Sequence, residues 1–273
     1  MKKKLIALSL VIAMLAIAAV SSTLAYFTDD DNATNVFTVG NVEIELVEQQ
    51  REYDADGNLV GLEDFEDDKV LLPIVGSAQG AKDEYGMPIA ENYVDKIVTV
   101  DNTGASDAYI RVYVLTPVEL DDPVETSVPL HWNWGNRFFA DGTYTDGATN
   151  PGWVDNGVAV ENVVDDAGAP VIVDVDGIDY YAWSFTFQDV IAAGESTPAA
   201  ICGLYLDSTV DCDRNANGEL VYTFKDEPID FDLAAGVTIP VYAQAVQAAG
   251  FATAADAFTA AYGNGNLSYP WNA

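Results

Sequence analysis

The sequence predicts an antiparallel β-sandwich with one short C-terminal helix, on three observations. Residues 108–116 alternate aliphatic side chains with tyrosines and an arginine, the period of two that marks a strand with one buried face. Several similar segments are separated by turns rich in Gly, Asp and Asn. A helical pattern is clear only in residues 252–262, where Thr253 is a candidate N-cap and Phe258 lies on the apolar side. Many strands and one terminal helix favour two packed antiparallel sheets.

The strands are predicted in chain order from this alternation and from the turns between them. Residues 96–102 and 108–116 are expected to form a hairpin, because a loop of turn-forming residues connects them. Asp176-Gly177 is a strong two-residue hairpin signal between two further strands. The remaining strands are expected at 42–46, 171–175, 178–187, 200–207, 220–224 and 237–247.

Residues 1–25 have the organisation of a secretory signal peptide. Three lysines follow Met1, then an uncharged apolar run, then a small-residue site that ends at Ala25. The run of about 16–18 residues is shorter than the roughly 20 that span a bilayer, which disfavours the alternative of a membrane anchor. We expect cleavage between Ala25 and Tyr26, with Ala18 or Ala19 as alternative sites. The product would be a secreted protein with no stable membrane span.

The mature chain would be strongly acidic. The sequence has 11 Lys and Arg, 44 Asp and Glu and a net charge of −33, which becomes about −36 without the three lysines of residues 1–25. This excess of negative charge repels nucleic acid and anionic lipid, which bind clustered Lys or Arg. We therefore expect neither as a partner. The acidic residues are expected to form a solvated face, with uptake of divalent cations as the alternative.

Residues 42–273 are expected to form one β-sandwich domain, because 49% of the chain is apolar and its length suffices for a full core. Residues from about 117 to 169 are interpreted as an insertion whose aromatic residues form a small core of their own. Alternatively, these rings form a surface that binds sugars or a protein partner. The aromatic residues are Trp132, Trp134, Phe138, Phe139 and Trp153.

The sequence offers little for catalysis. A zinc peptidase needs imidazoles or carboxylates that converge on one metal, usually with a His-Glu-x-x-His helix. His131 is the one histidine, and its aromatic neighbours favour a packed, hydrogen-bonded ring over a catalytic base. No pair of carboxylates is singled out for glycoside hydrolysis. We therefore predict no catalytic residues, no required cofactor and a protein that is not an enzyme.

One cluster of residues resembles the start of a calcium-binding loop. Asp213, Asn215 and Asn217 stand at positions 1, 3 and 5 of such a loop. Position 12, which requires a bidentate Glu, is Phe224. A hairpin turn at Asn217-Gly218 explains the same residues, so we favour the turn and keep calcium as the second interpretation.

Cys202 and Cys212 are the two cysteines of a chain that is expected to be exported. A disulfide between them would close a loop of about ten residues and stabilise the fold by roughly 2–3 kcal/mol. We predict this disulfide, with two reduced cysteines as the alternative.

The segment around the cleavage site carries a family resemblance. Ala25-Tyr26-Phe27-Thr28-Asp29, followed by residues 35–42 (NVFTVGNV), resembles the tag of SipW-dependent exported proteins, which include TasA-like and camelysin-like proteins. The resemblance implies a jelly-roll or immunoglobulin-like sandwich and processing by a dedicated signal peptidase. Further stretches similar to the larger members lie at 98–104, 107–112, 193–197 and 241–250.

The resemblance also implies a function, that of an extracellular structural subunit of a biofilm matrix fibre or surface filament. Its partners would be copies of itself or related surface proteins. Residues 26–41 would be an assembly segment that adds as a strand to the next subunit. Alternatively, the segment is a flexible leader or an edge strand of its own domain. Two other functions stay open, a monomeric surface adhesin or binding module and a camelysin-like metalloprotease. The expected apolar anchors of the segment are Phe27, Val36, Phe37 and Val39.

Overall fold

A computed structural model describes residues 28–32, 35–38, 42–66, 69–76, 78, 87–125, 127–134, 154, 155, 157–218, 220–233, 236–263 and 269–272. Strands dominate this part of the chain, and they are joined by turns and short loops. The one α-helix among the described residues, α1 (Ala254–Tyr262), is followed by a 3₁₀ turn at Pro270–Asn272. The strands are β1 (Thr28–Asn32), β2 (Asn35–Thr38), β3 (Ile44–Tyr53), β4 (Leu59–Asp64), β5 (Val94–Asp95), β6 (Ile97–Asn102), β7 (Ala108–Pro117), β8 (Leu130–Trp134), β9 (Val154–Asp155), β10 (Val158–Asn162), β11 (Ile172–Val175), β12 (Ile178–Phe187), β13 (Ile201–Leu206), β14 (Val210–Arg214), β15 (Leu220–Phe224), β16 (Glu227–Pro228) and β17 (Val241–Gln247).

The first layer of the fold is an eight-stranded antiparallel sheet. Its strand order is β2-β1-β17-β7-β12-β10-β9, and β11 pairs with another part of β12. The long strands β7 and β12 form its centre, where Val112 faces Phe185 across the ladder. The hairpin of β1 and β2 forms one edge of this sheet.

The second layer combines two three-stranded sheets, with orders β4-β3-β6 and β5-β13-β8. Backbone hydrogen bonds join them side by side. The amide of Thr197 donates to the carbonyl of Val100 over 2.9 Å, and the amide of Lys96 donates to the carbonyl of Cys202 over 3.0 Å. A separate small sheet of β14, β15 and β16 adds Val210 and Tyr222 to the core.

The main core lies between the two layers, so the predicted β-sandwich with one short C-terminal helix is confirmed. Aliphatic residues of β6 and β7 meet in one buried cluster that includes Val98, Val100, Val112 and Val114. Apolar burial of this kind supplies roughly 25 cal/mol per Å² removed from water, which makes it the main favourable term in folding. Thr253 caps α1 as predicted, since its hydroxyl accepts a hydrogen bond from the Asp256 amide.

The predicted hairpin between residues 96–102 and 108–116 is wrong. Strand β6 belongs to the second layer and β7 to the first, so the chain crosses between the sheets at residues 103–107. The buried Asn102 side chain holds this crossing, because its amide donates to the carbonyls of Ser106 and Ile191. The hairpin at Asp176-Gly177 is confirmed, and both residues have the positive φ that its tight turn requires.

The prediction that β7 has one buried face is also wrong, because both faces are buried. On the outer face, Tyr109 is covered by α1, and Tyr113 packs against Tyr269 and Trp271. The C-terminal part of the chain therefore forms an additional layer over the first sheet.

The predicted insertion does not extend over the whole of residues 117–169. Strand β8 pairs with β13 in the second layer, and β10 pairs with β12 in the first, so both are integral strands of the sandwich. Trp132 packs against the main core rather than in a core of its own. Phe138, Phe139, Trp153 and the Trp134 side chain lie outside the described residues.

Candidate functional site

The side of β17 that pairs with β1 is the strongest candidate for an interaction site. On one side β17 pairs with β7, and on the other it pairs with β1 in antiparallel register, from Thr28 opposite Val246 to Asn32 opposite Tyr242. Strand β2 then pairs with β1 and becomes the edge of the sheet. The structure thus places the predicted assembly segment as edge strands of its own domain, which was the alternative interpretation.

The backbone positions of two predicted anchors are described. Val36 and Phe37 lie on β2, opposite Asp31 and Asp30 of β1. Phe27 and Val39, together with the cleavage residues Ala25 and Tyr26, lie outside the described residues. The extended conformation expected for this segment is confirmed for β1 and β2.

An aromatic layer covers β17 from outside the sandwich. Trp271 meets Tyr113 edge-on with ring centroids 5.1 Å apart, and it lies 6.0 Å from the ring of Tyr242. Tyr269 stacks on Trp271 at 4.7 Å. The 3₁₀ turn that carries Trp271 lies against the backbones of both β17 and β1. The sequence analysis did not single out these rings. The one signal for them is that aromatic residues follow the Gly/Asn-rich stretch at 263–267, which is typical of a terminal segment that packs back against its own domain.

The outer face of β17 is also held by polar contacts. The Tyr113 hydroxyl donates to the Gln244 side chain over 3.2 Å, and Arg111 donates to the same hydroxyl over 3.2 Å. Arg111 also lies 4.1 Å from the ring centroid of Phe258, a cation–π contact between β7 and α1. These contacts of its outer face fix β17 independently of its pairing with β1.

His131 is placed as the sequence predicted, in a packed and hydrogen-bonded position. Its ring stacks on Tyr205 at 5.2 Å, and its Nε2 lies 3.0 Å from the carboxylate of Asp207. Burial raises the pKa of Asp207, but hydrogen bonds from Thr209 and His131 outweigh it, so the pKa lies below its usual value. Within the described residues, the hydrogen bonds of this pair include no Ser or Cys nucleophile that His131 could activate.

The residues of the suggested calcium loop form a hairpin turn between β14 and β15. The Asn215 side chain accepts a hydrogen bond from the Asn217 amide over 2.9 Å, and Gly218 has a φ of 86°. Asp213 lies in β14, paired with Val221. Asp54 and Asp165 cap hairpin turns in the same way. Within the described residues there is no group of three or more His, Cys, Asp or Glu that could hold a metal ion.

The predicted disulfide is not formed in the structure, where Cys202 and Cys212 are both reduced thiols. Cys202 lies in β13 of the second layer, whereas Cys212 lies in the separate sheet of β14, β15 and β16. The two strands do not pair, and the thiols join different hydrophobic clusters. Cys212 instead faces Tyr222 across the hairpin, where burial and this thiol raise the pKa of Tyr222 to about 12.

Asp121 forms a buried polar contact that the sequence did not reveal. Its carboxylate accepts hydrogen bonds from the Thr116 hydroxyl over 2.8 Å and from the Trp183 indole over 2.9 Å. Trp132 of β8 lies edge-on to Trp183 of β12, so the contact links the two layers. Burial raises the pKa of Asp121 above its usual value. In the sequence, this acid beside Asp122 and a proline is indistinguishable from a solvated turn.

Comparison with protein families, curated proteins and solved structures finds no match to this chain. In the part of the chain that the structure describes, no helix has the length and apolar character needed to cross a membrane. The candidate site is thus a hairpin from the N-terminal region, β1 and β2, that pairs with β17 beside an aromatic cover.

Proposed function

We propose that this protein is an extracellular structural subunit of a biofilm matrix fibre or surface filament, assembled by strand addition. In the assembled form, the β1–β2 segment of one copy pairs with β17 of the next copy. The observation that carries the proposal is the five-residue antiparallel ladder between β1 and β17. The likeness of residues 25–29 and 35–42 to the tag of SipW-dependent exported proteins supports the same function.

The position of β1 suits an exchange between copies. Strand addition relies on backbone hydrogen bonds. Because all copies are identical, β1 can make the same hydrogen bonds with β17 of another copy as with β17 of its own chain. The contact is head-to-tail, because it joins the N-terminal segment of one copy to a different surface of another. Such a contact does not close on itself and therefore builds filaments.

The charge of the chain sets the conditions for assembly. With a net charge of about −36 after removal of residues 1–25, copies repel one another at low ionic strength. Added salt screens this repulsion, and a divalent cation reduces it further. We therefore expect filaments to form more readily as salt is added.

Cross-linking between two single-cysteine chains tests the proposal directly. Asp30 faces Gln244 in the β1–β17 register. Chains that begin at Tyr26 and carry Asp30→Cys are mixed with chains that carry Gln244→Cys, both with Cys202→Ser and Cys212→Ser. The mixture is polymerised and oxidised. A disulfide between the two kinds of chain is expected only if β1 of one copy lies on β17 of another.

The matched control replaces Gln244→Cys by Gln247→Cys, which lies three residues further along the same strand and should not link. If the first mixture yields filaments without a disulfide between chains, assembly does not use this edge. If the wild type stays monomeric under all salt conditions, a monomeric adhesin or binding module replaces the filament subunit as the better interpretation.

A second test uses the apolar character of β2. Burial of a phenylalanine side chain contributes roughly 1.5–3 kcal/mol, so Phe37→Asp should weaken each junction between subunits and shorten filaments. Sedimentation of the wild type and the variant, with and without salt, measures this. Equal polymerisation of both chains would remove Phe37 as an anchor.

A further inference from the structure

We propose that residues 269–272 form a strap that holds β1 on the edge of β17 and controls when it is released to another copy. The release to another copy rests on the proposed function, whereas the hold on β1 does not. The strap is defined by Tyr269 and by the 3₁₀ turn Pro270–Asn272.

The strap lies over the seam, which is the line along which β1 pairs with β17. The turn is adjacent to the backbone of β17 and also to that of β1. Trp271 packs on Tyr242 of β17, and Tyr242 is directly opposite Asn32, the last residue of β1. The strap therefore covers the end of the ladder where the chain turns from β1 towards β2.

The strap is itself anchored to the centre of the sheet. Tyr269 and Trp271 stack on each other, and both meet Tyr113 of β7 edge-on, at 5.8 Å and 5.1 Å. Tyr113 and Tyr242 are 1% and 8% exposed, so the aromatic cluster excludes water from this part of the outer face. Stacked and edge-on aromatic pairs of this kind add stability beyond the area that they bury.

A strap at this place changes how the ladder opens. A two-stranded hairpin is only marginally stable alone, and strands at a sheet edge open from their ends. Because Trp271 covers the Asn32 end, opening from that end requires the strap to lift or the ladder to separate beneath it. Loss of the strap should leave the fold intact and make the seam open more often.

Hydrogen exchange of the β17 amides, resolved by NMR, tests the strap on the monomer at low salt. Each strand of an antiparallel sheet directs alternate amides to its two neighbours, so β17 carries amides bonded to β1 and amides bonded to β7. Trp271→Ala should speed exchange of the β1-bonded amides on the order of tenfold, by the usual strength of aromatic contacts. The β7-bonded amides should change much less.

Two control variants separate the strap from a general loss of stability. Trp271→Phe keeps a ring over Tyr242 and should remain close to the wild type. Tyr262→Ala removes a half-buried aromatic residue from α1 in the same outer layer, where it stacks on Phe258. It should not selectively speed the β1-bonded amides.

The outcomes distinguish this inference from the proposed function. If Trp271→Ala leaves exchange at the seam unchanged, or speeds all β17 amides alike, the strap is refuted. If the seam opens faster and cross-linking between copies also becomes faster, the strap and its control of release are both supported. If the seam opens faster but no chains cross-link under any condition, the hold on β1 is supported and the filament function is refuted.

Discussion

Asp121 and Trp183 are joined by a hydrogen bond of 2.9 Å from the indole N–H to the carboxylate of Asp121, a residue that is 5% exposed. The bond ties the loop after β7 to β12. The carboxylate is thus both well hydrogen-bonded and poorly solvated. Because desolvation is the largest influence, its pKa lies above the usual value.

Asp121→Asn should raise the free energy of unfolding relative to that of the wild type as pH rises. A raised pKa means that the folded state favours the protonated form, so the stability that Asp121 provides is complete below its ordinary pKa of about 4. That stability is lost as pH rises through the raised pKa. The variant cannot ionise at this position. Its free energy of unfolding should therefore rise relative to that of the wild type between the ordinary and the raised pKa, and the difference should be constant at higher pH. Urea unfolding between pH 3 and 8 measures the difference, and a constant difference at all pH values would contradict it.

Asp207→Asn should show the opposite pH dependence. The lowered pKa of Asp207 means that its contribution to stability is present above the ordinary pKa and is lost as pH falls below about 4. The Asp207 side chain is 31% exposed, so solvent screening limits the loss at neutral pH to below about 1 kcal/mol. The difference from the wild type should shrink in acid. A loss that grows in acid would show that the Asp207 carboxylate does not have a lowered pKa.

Arg51→Ala should destabilise the fold by about 3–5 kcal/mol, because it leaves a buried charge unpaired. Arg51 and Asp95 form an ion pair of 2.7 Å, with side chains that are 6% and 11% exposed. The double variant Arg51→Met/Asp95→Leu removes both charges and should recover most of the loss. Thermal and urea unfolding of the single and double variants measure these effects.

The control for this pair is Lys69→Ala. Lys69 and Glu66 form a surface ion pair at 3.4 Å, with the Glu66 side chain 73% exposed. Exposed pairs contribute roughly 0–1 kcal/mol. If Arg51→Ala costs no more than Lys69→Ala, the buried pair does not stabilise the fold.

Gly203→Ala should be strongly destabilising. A Cβ at this position would lie 2.5 Å from the Val94 carbonyl oxygen and 2.6 Å from the Tyr93 ring, so the backbone of a neighbouring strand must move. Overpacking of this kind costs about 1–3 kcal/mol. Gly61→Ala is the matched control, because its Cβ would meet only the Glu52 side chain at 3.7 Å. Equal unfolding midpoints for the two variants would refute the close approach.

The sequence predicted those strands and turns that depend on residues close together along the chain. The hairpin at Asp176-Gly177 and the cap of α1 by Thr253 depend on residues within a few positions of each other, and both were predicted. Pairing between segments that are distant along the chain could not be predicted from such local patterns. The loop at 103–107 has the residues of a hairpin turn, yet it carries the chain from one sheet to the other.

The site depends on the same distant pairing. Nothing near Thr28 specifies Val246 as its partner, and nothing near Trp271 specifies Tyr242. The expected disulfide failed for a similar reason, because Cys202 and Cys212 are close in sequence but lie in strands of different sheets. Short separation along the chain predicts a bridge only when the two strands are neighbours.

The ladder between β1 and β17 joins two segments that are made at very different times. Thr28 lies more than 200 residues before its partner Val246, and a ribosome completes β1 long before β17 exists. Contacts of such separation close slowly, because a long loop must be ordered first. Until its own β1 docks, a newly made chain leaves this side of β17 unpaired. The separation of the two strands along the chain thus sets how long a new chain leaves its β17 open to pairing with another strand.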